Sequence, residues 1–144
     1  MLFRSVDYSF ALGGMKNHEI YFAHLGGSGG SPTGKLRELI ERDFPSYDAW
    51  LADFKASGLA ARGWVWLAYD HDLSMLSTVV GDAQNTFPVW NATPILALDV
   101  YEHAYWFDYG RARAKYIDAF FNNLDWTVVA ANLDRALAMQ PAGK

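Results

Sequence analysis

The chain has 144 residues, 51% of them hydrophobic and 16% aromatic, with a formal net charge of −4. That length supports one hydrophobic core rather than two, and an acidic balance without any basic run argues against a nucleic-acid partner. With no cysteine there is no disulfide, thiolate nucleophile or sulfur metal site, so a bound metal must take nitrogen and oxygen ligands. Such ligands favour manganese or iron, with zinc a further option.

In residues 1–25, Asp7, Lys16 and Glu19 interrupt any apolar run, and no long apolar stretch follows. Neither a signal peptide nor a membrane span is expected, and the chain reads as cytoplasmic. The spacing of Phe10, Gly14, His18, Tyr21, Phe22 and Leu25 predicts a helix from Val6 to Leu25 with these residues mostly on one side. Within it, either the pair Gly13-Gly14 marks a boundary or Gly14 lets another group approach the face that carries His18 one turn later. His24 lies six positions beyond His18, about 240° further round, and reads as a surface or capping histidine.

Gly26-Gly27-Ser28-Gly29-Gly30-Ser31-Pro32 is a compact loop without a phosphate-loop lysine signature. A helix is predicted from Lys35 to Asp43. Pro45-Ser46 breaks and restarts the chain, and Tyr47, Trp50, Leu51 and Phe54 recur at helical spacing until Ser57-Gly58. Trp64–Tyr69 and Met75–Val80 then read as two strands. They are joined by Asp70-His71-Asp72, whose place suits a solvated hairpin end better than a metal cluster. A third strand from Ile95 to Leu98 brings Asp99 to the end of the sheet. Tyr101–Asp108 reads as a helical turn or short helix and Arg111–Phe121 as a helix. Trp126, Val129, Ala130, Leu133 and Leu137 mark a last amphipathic helix opened by Asp125. The fold class is α+β, helices with a small three-stranded antiparallel sheet. Residues 1–25 form a helical segment packed as one unit with an α+β domain over 26–139, followed by a loose tail, 140–144.

Asp99 and His103 stand four residues apart beside an aromatic cluster, a pairing that suits a metal, and His18 supplies a third candidate ligand. Each of these residues has a plainer reading as a cap or a satisfied core group. Two histidines and one carboxylate are also the composition of an iron oxygenase centre, but those sit mostly in antiparallel barrels, whereas this chain is mostly helical. On the residues alone, Gln84 reads as an exposed loop amide and Glu102 as a surface helix residue, while Trp64 and Trp66 read as strand packing. Arg62, Arg111 and Arg113 offer local positive charge for an anion.

The run Asp99-Val100-Tyr101-Glu102-His103-Ala104-Tyr105, followed by Tyr109, resembles the Asp-Val-Trp-Glu-His-Ala-Tyr pattern of the iron/manganese superoxide dismutases. Asn17-His18 resembles the family's upstream Asn-His motif, with Phe22 where many members have Trp. Gly29-Gly30-Ser31-Pro32-Thr33-Gly34 is similar to its Gly-Gly-Glu-Pro-Thr-Gly run, and Gly63-Trp64-Val65-Trp66-Leu67 to its aromatic strand. Tyr116-Ile117, Phe120 and Asn122 to Trp126 resemble its ending. Nearly the whole chain is covered, in order, as the carboxy-terminal portion of that family.

The resemblance implies a mononuclear manganese or iron centre held by His18, Asp99 and His103. Manganese is slightly preferred, because Gly14 paired with Gln84 looks like the manganese arrangement. It further implies that Gln84 partners the solvent on the metal and that Tyr101 replaces a tryptophan packed against it; beside such a site Trp64 and Trp66, read above as strand packing, offer a shield from bulk water. Glu102 then steadies a neighbouring subunit's metal-bound histidine, and Tyr105 crosses the same contact, in a homodimer or higher homo-oligomer. The implied activity is disproportionation of superoxide to dioxygen and hydrogen peroxide. The family's fourth histidine ligand and active-site tyrosine belong to an amino-terminal helical hairpin segment that this sequence does not contain. The alternative is therefore a catalytically impaired or inactive metal-binding dimer of the same fold.

Overall fold

The segment Trp64–Asp70 is apolar at nearly every position and buried along its length except at its last residue. A strand with no solvent face has to be central, with both its faces covered and both its edges paired. In a computed structural model, which describes residues 2–87 and 89–139 and side chains from Arg4 onward, this segment is β1, the middle of a three-stranded sheet. Met75–Gly81 (β2) and Ala92–Asp99 (β3) flank it, both antiparallel. The register sets Trp64 opposite Gly81 on one side and Asp99 on the other, so the start of β1 lies beside the end of β3.

β3 begins three residues earlier than the expected Ile95. Pro94 argues against a strand because it has no N–H to donate. The register shifts between Leu67, paired with Leu96, and Ala68, paired with Pro94, so a bulge at Ile95 on this edge strand accommodates the proline.

Among the described residues, six helices surround the sheet: α1 Leu2–Ala23, α2 Gly34–Asp43, α3 Tyr47–Ala60, α4 Glu102–Tyr109, α5 Arg113–Asn122 and α6 Trp126–Ala138. α1 and α6 pack on β3, α2 on β2, and α3 on β1 and α5. The N-cap Ser46 Oγ accepts from the Ala49 N–H at 3.0 Å, and Asp125 caps α6 by accepting from Thr127 N–H at 2.9 Å. Trp50, Phe54, Trp64, Trp66, Ile95, Leu96 and Leu98 fill the core. Complete burial of such a side chain contributes about 1.5–3 kcal/mol relative to exposure. No helix among the described residues is long and apolar enough to cross a membrane. The tail expected at 140–144 lies outside the described residues.

Gly13-Gly14 does not break α1. A Cβ built on Gly13 would sit 2.1 Å from the main-chain oxygen of Gln84, whereas one on Gly14 would make ordinary contact, 3.5 Å from the Gln84 side chain. The close approach is therefore at Gly13, not at Gly14 as expected, because the loop after β2 crosses the helix there.

His24 corrects the expectation of a surface or capping residue. It is fully buried: the last turn of α1 runs onto β3, where Nε2 accepts the N–H of Ala97 at 3.2 Å. Its own carbonyl accepts from Asp125 N–H at 2.8 Å. Burial disfavours the imidazolium and pushes the His24 pKa down to about 4. His71 stays in the β1–β2 turn, 2.8 Å from Thr93 Oγ1.

Candidate metal centre

Three elements meet at the end of the sheet. α1 brings His18, the last residue of β3 is Asp99, and the first turn of α4 brings His103. Asp99 is 1% exposed and His18 is partly covered, while the His103 side chain is 56% exposed. One carboxylate oxygen, Oδ2, faces both rings, 3.2 Å from His18 Nε2 and 3.0 Å from His103 Nε2. One ligand-type atom from each of the three residues lies within 4.8 Å of the others, the only such group of three among the described residues.

The proton count shows what this arrangement requires. His18 Nδ1 is 2.6 Å from the Gly14 carbonyl, which can only accept, so Nδ1 carries the hydrogen. In the neutral ring Nε2 is then a lone pair, and it faces a carboxylate that also has only lone pairs to offer. Two acceptors at this distance need either a proton or a metal cation between them. Two imidazole nitrogens and a carboxylate oxygen form a donor set suited to manganese, iron or zinc, so the residues present fit a metal. Asp99 Oδ1 is held separately by the Tyr101 N–H at 2.9 Å. Burial is the main reason the Asp99 carboxyl lies above the usual carboxylate range; the Tyr101 N–H and the two histidines oppose it.

Around these three groups the aromatic residues are ordered. Tyr101 stacks on His103 with centroids 5.3 Å apart and 10° between planes, and Trp64 meets His18 edge-on at 5.1 Å. Phe22 stacks on His18 at 5.9 Å from the exposed side. Trp64 and Trp66 are fully buried and stacked at 6.3 Å. Gln84 is buried, against the reading of its residue type alone as an exposed loop amide. Its Oε1 accepts from Trp64 Nε1 at 2.9 Å, and its main-chain oxygen accepts from Asn17 Nδ2 at 3.0 Å. Asn17 Oδ1 in turn accepts from Trp66 Nε1 at 3.1 Å. Asn17, noted in the sequence only as His18's neighbour, thus links Trp66 to the Gln84 loop, while Trp64 bonds the Gln84 side chain directly. The place of Asn17 three residues after Gly14 and four before Tyr21 puts it beside the predicted face, but an amide there carries no sign of which partners bury it.

Glu102 is exposed on α4. Tyr105, expected to cross a subunit contact, is 5% exposed and its hydroxyl accepts from Arg113 Nε at 3.0 Å within the same chain. The exposed aromatic residues of α4 are Trp106 and Phe107. Of the arginines considered for an anion, Arg62 pairs with Asp82 at 2.7 Å, and Arg113 also donates to the carbonyls of Leu59 and Ala61. The remaining histidines, His24 and His71, do not join the group.

A metal-suited triad at the end of a three-stranded antiparallel sheet wrapped by helices defines an α+β metalloprotein class. The family model for iron/manganese superoxide dismutases, C-terminal domain, matches residues 32–132. The chain is 41% identical over 123 residues to superoxide dismutase [Mn] 2 of Halobacterium salinarum, covering 85% of this chain and 62% of that protein. It is 37% identical over 140 residues to superoxide dismutase [Fe] of Aquifex aeolicus, covering 96% and 66%. With superoxide dismutase [Mn] of Haloarcula hispanica it shares 43% identity over 103 residues, 71% of this chain and 72% of that one. The chain belongs to the iron/manganese superoxide dismutase family, matching its carboxy-terminal portion. It spans 62% of the length of the Halobacterium protein.

Proposed function

We propose that the chain binds one manganese or iron ion through His18 Nε2, Asp99 Oδ2 and His103 Nε2 and disproportionates superoxide. The observation that carries this reading is the pair of imidazole nitrogens facing one carboxylate oxygen at 3.2 and 3.0 Å. The bound ion would supply one-electron chemistry, alternating between two and three positive charges. In balance, two superoxide anions and two protons become one dioxygen and one hydrogen peroxide.

The chain's own groups set the conditions. The negative charge of Asp99 favours the more oxidised ion. Gly14 fixes the His18 tautomer, and Tyr101 covers His103. Because Trp64 takes the oxygen of Gln84, the amide nitrogen is the end left to order solvent and steady the proton that peroxide needs. Trp64 and Trp66 exclude bulk water on the core side. Manganese is favoured by the Gly14 and Gln84 pairing. The half-exposed His103 suits a twofold contact in which Glu102 steadies His103 of the partner subunit.

A second reading is a metal-binding protein of this fold with impaired turnover. Among the described residues three candidate ligands converge, and the other two histidines have partners elsewhere. Superoxide turnover per bound metal, measured on this chain and on His103→Ala, decides. The expected result is a metal-dependent rate that the variant loses, by about 10-fold or more. Tight manganese or iron with no rate above the free ion establishes the second reading, and equal rates in both chains overturn the ligand assignment.

A further inference from the structure

Asp99 is held by more than its carboxylate. Its main-chain carbonyl accepts the Tyr116 hydroxyl at 2.6 Å, and the Tyr116 oxygen is 3.0 Å from the hydroxyl of Tyr21. A phenol has one proton and a carbonyl none, so the direction is fixed: Tyr21 donates to Tyr116, and Tyr116 donates to Asp99. Both phenols are buried, where a hydroxyl without a partner is costly. Tyr21 lies on α1, three residues after His18, and Tyr116 lies on α5. The two hydroxyls therefore connect the helix that carries one imidazole to the strand end that carries the carboxylate, by way of a third element.

We propose that the Tyr21–Tyr116 hydroxyl chain is a positioning device for the metal centre, holding α1 at the separation from β3 at which His18 Nε2 stands 3.2 Å from Asp99 Oδ2. The inference rests on the metal-centre reading and deepens it. Ring packing does not account for the hydroxyls. Tyr21 stacks on Phe120 at 5.9 Å and Tyr116 on Tyr105 at 5.3 Å, contacts that phenylalanine would make equally well. What phenylalanine lacks is the polar connection to Asp99. Burial raises the pKa of both phenols, which keeps their protons in place as donors. Each bond in such a chain polarises the next, so the pair acts as one connection rather than two.

The test uses the full chain. Mn²⁺ affinity is measured by chelator competition, and the visible bands of bound Co²⁺ report the geometry of the centre. Tyr116→Phe is expected to weaken Mn²⁺ binding about 10-fold and to shift the Co²⁺ bands. Tyr21→Phe should move both readouts in the same direction by less, and the double variant should do no worse than Tyr116→Phe. Tyr47→Phe, which removes another buried phenol whose hydroxyl reaches the Gly30 carbonyl, lowers stability without moving either readout. If Tyr116→Phe keeps the affinity and spectrum of the parent chain, the positioning role is overturned and the metal centre stands. If the parent chain takes up neither ion, the centre is overturned and the proposal with it.

Discussion

A buried imidazole that accepts a backbone N–H serves the fold only while it is neutral. Between pH 6.5 and about 4 the unfolded chain binds a proton at His24 that the folded chain refuses. Its contribution is therefore fully present above pH 6.5 and lost as the pH falls toward 4. This predicts a loss of about 2 kcal/mol between pH 7 and pH 5. Urea unfolding at the two pH values should show it, and His24→Gln, which keeps an acceptor but cannot titrate, should show a smaller drop. At this scale the sequence is informative for some residues and silent for others. The four-residue spacing of Asp99 and His103 and the Asn17-His18 pair were visible because local geometry carries them. The burial of His24 was not, because it depends on a strand more than seventy residues away. Gln84 behaves likewise: its partners Trp64 and Asn17 come from other elements.

Two adjacent glycines on one helix make opposite predictions. Gly13→Ala places a carbon against the Gln84 carbonyl, so either the loop or α1 must move, at a cost of about 1–3 kcal/mol. Gly14→Ala meets only a side chain at ordinary contact distance and gains helix propensity, so it should be neutral or stabilising by up to about 1 kcal/mol. Thermal unfolding of the two variants measures the difference, and equal effects would contradict the packing described. The helices and strands were legible from periodicity because each buries one side or both against the rest. The early start of β3 was not, since Pro94 reads as a breaker unless the bulge beside it is known. The spacing predicts a helix through Gly13-Gly14, but which of the two glycines meets a neighbour was hidden, because it depends on the Gln84 loop, distant in the chain.

At the level of the molecule, α1 packs on β3, while Val6, Tyr8, Phe10 and Leu12 on its first half, and Met15 just beyond, remain exposed. A metal bound by the triad would bind only the folded chain, so it stabilises by mass action. Manganese at about 100 times its dissociation constant should add about 2.7 kcal/mol. For a domain of this size that raises the thermal midpoint by roughly 5–10 °C, and a chelator should reverse it. An unchanged midpoint would mean that the triad holds no metal in the native state. The order of strands in the sheet has a kinetic consequence. β1 and β2 are joined by a short turn and can pair at once, but β3 must return from the other side of the loop after β2 to reach the free edge of β1. Asp99 is the last residue of that late strand, and His18 lies on a helix that docks against it. The hairpin can thus form while His18 is still apart from the local pair Asp99 and His103, so a partly assembled chain offers a metal an incomplete donor set. Metal capture should follow the final docking event and report on its rate.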